Sequence, residues 1–170
     1  MNKKLLLSTL LIAFIISCKD NDKAPSSPVA YNEDFKKIER NLDSEIHNTE
    51  VNVERYTEHE QYDSIAAAGK RMEDIVEKII TDIKDAPAPD GKGGAAFKDA
   101  GIQYFEFMKK FYGIYTDYGK SKDADGRAKQ LDKLQELNTK KLEVMQQMQA
   151  AQKKFASDNG IKLTETKDSL

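Results

Sequence analysis

One cysteine, two histidines and no apolar run long enough to cross a bilayer as a helix set the first limits on this chain of 170 residues. A single thiol, Cys18, cannot form a disulfide within the chain, so no covalent staple supports the fold. Two histidines, no second thiol and no Gly-x-Ser-x-Gly elbow leave a nucleophilic triad little to draw on. Charge of neither sign is in large excess: 27 basic residues face 29 acidic ones, and no basic stripe of the kind that displaces counterions from a nucleic acid is present. Neither an enzyme nor a nucleic-acid-binding protein is expected. Aromatic residues are only 8% and charged ones 33%, yet Leu, Ile and aromatic side chains recur at steps of three and four, which argues for packed helices over disorder.

The longest apolar stretch opens the chain. Lys3 and Lys4 form a positive start, and Leu5 to Ile16 is apolar apart from Ser8 and Thr9, the length of a signal-peptide core. It ends in Ile15-Ile16-Ser17-Cys18, where a small-x-small cleavage site would otherwise stand. This tetrapeptide resembles the lipobox of bacterial lipoproteins. The resemblance implies a signal peptide over residues 1–17, cleavage between Ser17 and Cys18, a diacylglyceryl group on the Cys18 sulfur, and a further acyl chain such as palmitate on the new amino group. One acyl chain anchors marginally, at ~0.8 kcal/mol per buried CH2, and two or three hold stably. The next residues, Lys19-Asp20-Asn21-Asp22, resemble the lysine-plus-acid export signal of surface lipoproteins in Bacteroidota-type bacteria, with Asn21 departing from the pattern. That likeness assigns Lys19, Asp20 and Asp22 to export and implies an outer-membrane address open to the cell surface. Read as solvated linker charges, the same residues carry no address. Loss of residues 1–17 removes Lys3 and Lys4 and no acid, leaving 25 basic against 29 acidic residues.

Residues 18–30, with Pro25, Ser26, Ser27 and Pro28, read as the lipidated cysteine and a flexible tether of ~40 Å full reach and about 20 Å as a coil. Four helices are then expected, at about 31–56, 62–85, 95–118 and 127–158, within a bundle spanning 31–159 and followed by a loose tail over 160–170. The first carries an apolar stripe through Tyr31, Phe35, Ile38, Leu42, Ile46, Val53 and Tyr56, and falters after Arg55 in either a turn or a kink. Ala86-Pro87-Ala88-Pro89-Asp90-Gly91-Lys92-Gly93-Gly94 stops the second helix and delays the third. Its glycines lack the preceding strand and the Walker spacing of a phosphate cradle. The third helix is the expected packing centre, with Phe97, Gly101, Tyr104, Phe105, Met108, Phe111, Tyr112 and Tyr115 over half its circumference. Gly101 leaves room there for a facing aromatic side chain or a neighbouring backbone to come close. Asn159-Gly160-Ile161 fits a Schellman stop for the fourth helix.

Candidate chemistry is thin. Neither His47 nor His59 follows a glutamate by three residues, so the Glu-x-x-His pairs of a di-iron bundle are missing. Asp43, His47 and Glu50 share one helix face, where surface charge explains them better than zinc. Glu58, Glu60 and Asp63 read as a solvated face and not as buried acid–base groups. No catalytic residue, metal site or cofactor is expected.

The fold class that follows is all-α, an antiparallel up-down-up-down four-helix bundle after a signal peptide and tether. As a whole the chain is similar to small helical surface lipoproteins of Bacteroidota and related bacteria, a likeness that transfers no binding residues. Its partners are then the membrane, through the lipid, and another envelope protein. Helix four interrupts its apolar stripe with Asn138, Lys141, Gln149 and Gln152 beside Met145, and these five residues form the candidate partner surface. The alternative is a small-ligand or metal-binding lipoprotein with a pocket between helices one and three, lined by Tyr56, Tyr104 and Tyr112.

Overall fold

A computed structural model describes residues 26–163, so Cys18, the export signal at Lys19, Asp20 and Asp22, and most of the tail lie outside the described residues. Four helices follow in chain order: α1 Pro28–Glu58, α2 Tyr62–Asp85, α3 Gly94–Lys120 and α4 Ala124–Asp158. They form the antiparallel up-down-up-down bundle, with α1 packed on α2, α2 on α3, α3 on α4, and α1 touching α4 sparingly. No described helix is long and apolar enough to cross a membrane.

Each boundary has a local cause. The Ser27 side chain accepts from the Ala30 N–H at 3.3 Å and Pro28 opens the first turn, so α1 begins inside the stretch read as tether. At its other end the Gln61 N–H reaches the Tyr56 carbonyl at 2.8 Å and the Glu60 N–H reaches Thr57 at 3.3 Å, a Schellman pair that separates α1 from α2. Glu60 holds the left-handed position of that motif at φ 55°, where glycine is usual. The same pair ends α4, from Ile161 to Ala156 at 2.9 Å and from Gly160 to Ser157 at 3.4 Å, here with glycine at φ 68°. Asp123 starts α4 three residues earlier than its periodicity suggests, by accepting from the Gly126 N–H at 2.7 Å.

The ends of the bundle are stitched. The Pro- and Gly-rich loop after α2 gives its Asp90 N–H to the Ser26 carbonyl at 3.0 Å. Lys92 in the same loop donates its N–H to Asn159 Oδ1 at 3.1 Å and accepts from Asn159 Nδ2 at 3.0 Å, which ties the loop to the end of α4. At the opposite end the Arg127 guanidinium lies 4.0 Å from the Tyr62 ring centroid, and Tyr62 meets Tyr118 at 6.1 Å.

Between these ends the core is aromatic at one level and aliphatic at another. Phe97 is fully buried and touches Tyr31 and Phe35 of α1, each at 5.5 Å between centroids, and Phe155 of α4 at 5.0 Å. Phe35 also sits over Gly101, whose added Cβ would fall 2.8 Å from its ring. Ile65, Met72, Val76 and Ile80 supply the α2 wall. Gly69 of α2 lies against the Thr116 backbone and Gly119 of α3 against Tyr62 and Ala66, so α2 and α3 approach closely at two levels.

Candidate functional site

The α1–α4 side is built differently. On α1, Asn32, Glu39 and Glu50 fall within about 20° of one another at 100° per residue, on one flank of the apolar stripe. The opposite flank holds Glu45, which takes both oxygens to Arg71 of α2 at 2.8 and 2.9 Å. The Asn32 flank therefore turns toward α4, and there Gln152 Nε2 donates to Asn32 Oδ1 at 3.1 Å. Both side chains are buried. Tyr104, Tyr112 and Tyr115 of α3 complete this interior, with Tyr112 in ring contact with Phe111 at 5.7 Å and Tyr115 at 6.0 Å.

Burial of polar groups without full pairing sets the electrostatics. Burial raises the Glu50 carboxyl to about 7, against the opposing pull of Lys141. Glu39 is likewise raised to about 7 by burial, opposed by Lys36. The Tyr112 hydroxyl is pushed far above its ordinary range by burial first, then by Glu50, Tyr115 and Tyr104. Tyr104 rises through burial and then Glu39, and Tyr115 through burial and then Glu50. Burial lowers Lys141, with Glu50 acting the other way. Glu50 Oε1 and the Tyr112 hydroxyl are buried and make no hydrogen bond, at about 1–3 kcal/mol for each such group.

The five residues of the candidate partner surface divide. At 100° per residue Asn138, Met145 and Gln149 fall in line with Leu131 and Leu142 within about 60°. All three are half-buried, while Leu131 and Leu142 are 51% and 65% exposed. Lys141 and Gln152 turn further inward, Lys141 half-buried near Glu50 and Gln152 only 6% exposed against Asn32. Gln152 is thus part of the interior and not of the outer face, because its amide finds a partner on α1. Phe155 stacks on α3 while Gln152 pairs with α1, so the Leu131–Leu142 line runs along the flank of α4 nearest α1.

The tyrosines singled out in sequence do not line one pocket. Tyr112 is fully buried in the bundle interior and Tyr104 is half-buried against the core, whereas Tyr56 lies half-buried near the far end of α1 with Arg55 5.1 Å from its ring centroid. His47 and His59 are exposed, as are Glu58, Glu60 and Asp63. No group of three or more His, Cys, Asp or Glu residues converges on a metal-sized space among the described residues. Outside the interior, a concavity of about 400 Å3 runs along α2 and α3 and adjoins one of about 530 Å3 that also reaches Lys133, Glu136 and Leu137 of α4; the two share Glu73, Lys110 and Gly113. Glu73 accepts there from the Thr116 hydroxyl, and Lys84–Glu106 at 2.9 Å and Lys109–Glu77 bridge the first of them, so its charges are largely spent on each other.

Sequence reasoning missed Glu39 and read Glu50, with Asp43 and His47, as surface charge, whereas both glutamates are half-buried and one Glu50 oxygen is fully covered. Their signal was present: they stand in register with Asn32 directly beside the apolar stripe, where a carboxylate is partly covered by a neighbouring helix. The chain matches no protein-family model, no curated protein and no solved structure. Fold and site together define a class, a four-helix bundle with one polar, loosely closed side.

Proposed function

We propose that the protein is an outer-membrane lipoprotein, held through Cys18, whose bundle is a non-enzymatic module that binds another envelope protein along α4. The observation that carries the interaction is the exposed line of Leu131 and Leu142, two large apolar side chains on one flank with Asn138, Met145 and Gln149 between and beside them. Apolar side chains in a line with polar ones interspersed suit a helix-on-helix contact better than a solvated face. The lipobox-like Ile15-Ile16-Ser17-Cys18 supports the anchor. Ten peptide steps from Cys18 to Pro28 span at most ~35 Å, which keeps the bundle near the lipid surface.

A photo-crosslinking residue at Leu142 tests the surface. Irradiation of whole cells is expected to yield one discrete adduct from Leu142 that is lost when Leu131→Glu is added, while the same probe at Val51, on the outer face of α1, yields none. Equal labelling from both positions, or none from Leu142, would remove α4 as the partner surface.

A further inference from the structure

The seam between α1 and α4 has two unlike walls. The Gln152–Asn32 bond fixes the register of the two antiparallel helices, which run on from it side by side at about 1.5 Å per residue. Asp43 of α1 and Leu142 of α4 then lie at one level, about 16 and 15 Å from that bond, and Glu54 and Leu131 lie at another, about 33 and 32 Å from it. Asp43, Glu50 and Glu54 stand within about 40° of Asn32 at 100° per residue, on the flank of α1 that turns toward α4. Leu131 and Leu142, largely exposed, stand on the flank of α4 nearest α1. One wall of the seam is therefore acidic and the other apolar.

The bundle supplies too few cations for the acidic wall. From Asn41 to Glu54 α1 contains no Lys or Arg. Between Leu131 and Gln149 the α1-ward flank of α4 offers one, Lys141, which acts on Glu50. Asp43 and Glu54 take part in no ion pair or side-chain hydrogen bond among the described residues, although Asp43 is already half-buried. Deeper in the seam the Tyr112 hydroxyl, on a residue 1% exposed, has no partner, and Glu50 is the carboxylate that acts on it. Carboxylates alone would form a solvated face; an exposed apolar line level with them makes this a contact surface.

We propose that the α1–α4 seam takes a basic amphipathic helix of another envelope protein, its apolar stripe seated on Leu131, Leu142 and Met145 and its Lys or Arg side chains reaching Asp43 and Glu54. The partner class named here rests on the α4 surface proposed above. Any occupant that buries Leu131 and Leu142 also covers the carboxylates level with them, and an unpaired carboxylate is costly to take out of water. A neutral or acidic helix would leave both unpaired. Cations about three turns apart on one flank satisfy both, because Asp43 and Glu54 are themselves about three turns apart. A straight seam between two helices is the groove into which an amphipathic helix lays its apolar face, and about 18 residues, ~27 Å, span both levels.

Two probe peptides of about 18 residues test it: a helix with a leucine stripe flanked by lysines, and the same helix with glutamates in place of the lysines. Binding is measured on the whole acylated protein in nanodiscs of neutral phospholipid, with empty discs as the blank. The lysine helix is expected to bind at least about tenfold more tightly than the glutamate helix, and less tightly as salt is raised. Asp43→Asn/Glu54→Gln, which keeps the size of both side chains, is expected to weaken the lysine helix about tenfold, and Leu131→Asn/Leu142→Asn by at least as much. Asp117→Asn, in the concavity away from α1, is expected to stay within about twofold. Equal binding of the two probes, or an Asp43→Asn/Glu54→Gln variant that binds as the wild type does, would overturn the basic partner and leave α4 as the surface if Leu142 still crosslinks in cells. A dimer of the purified protein that Leu131→Asn breaks would put a second copy in the seam and overturn it as well. The lysine preference without a Leu142 adduct in cells would strike the envelope partner and not the seam.

Discussion

Replacing Phe97 by alanine is expected to cost about 3–5 kcal/mol of unfolding free energy, a large share of the 5–15 kcal/mol typical of a domain. The ring is fully buried and is the one aromatic group in contact with Tyr31, Phe35 and Phe155 together, so it joins α1 and α4 to α3 at the end of the bundle closed by the Lys92–Asn159 stitch. Truncation removes its transfer free energy and leaves a cavity that three facing rings cannot refill without leaving their rotamers. Chemical unfolding followed by circular dichroism checks it, with a melting temperature lowered by about 10 °C as the companion result. A loss below about 1 kcal/mol would mean that this end of the bundle is not packed as described.

Gly119→Ala is expected to destabilise by about 3 kcal/mol or more, beyond the usual cost of one methyl group in a core. An added Cβ would lie 2.3 Å from the Tyr62 carbonyl oxygen and 2.4 Å from the Ala66 nitrogen. These are backbone atoms of α2, and no side-chain rotation relieves the overlap; α2 must move away from α3. Gly113→Ala is the matched control, since its Cβ would meet only the Glu73 carboxylate at 3.6 Å. There the better helix propensity of alanine, about 1 kcal/mol, is expected to leave stability unchanged or slightly raised. Equal effects at the two positions in thermal melts would contradict the close α2–α3 approach.

What could be read in the sequence was whatever depends on local periodicity and chain stops. The bounds of α2 follow from its aliphatic stripe and from Pro87, and the end of α4 from Asn159-Gly160-Ile161. The aromatic stripe on α3 marked the core because Phe97, Tyr104, Phe111, Tyr115 and Tyr118, with Gly101 and Met108 between them, recur at steps of three and four. Other boundaries depend on single hydrogen bonds that composition hides. Ser27-Pro28 looks like linker until the Ser27 oxygen is seen capping Ala30, and the break between α1 and α2 rests on Glu60 in a conformation that its side chain does not advertise. The interior of the α1–α4 side was least legible. A glutamine on a helix flank reads as solvated unless its partner is known, and the partner of Gln152 lies 120 residues away in sequence at Asn32. Glu39 and Glu50 resemble any other charges on an acidic helix, and only the neighbouring tyrosines of α3 show that they are covered.

The lipid anchor proposed at Cys18 is the central claim, because such an anchor would set which surfaces of the bundle meet the proposed envelope partner and how far they reach. Intact-mass and peptide mass spectrometry of the protein purified from membranes tests it most directly. The expected N-terminal peptide begins at Cys18 and carries the mass of a diacylglyceryl group with or without a third acyl chain, whereas a mature chain starting elsewhere, or a bare Cys18 thiol, would contradict the account.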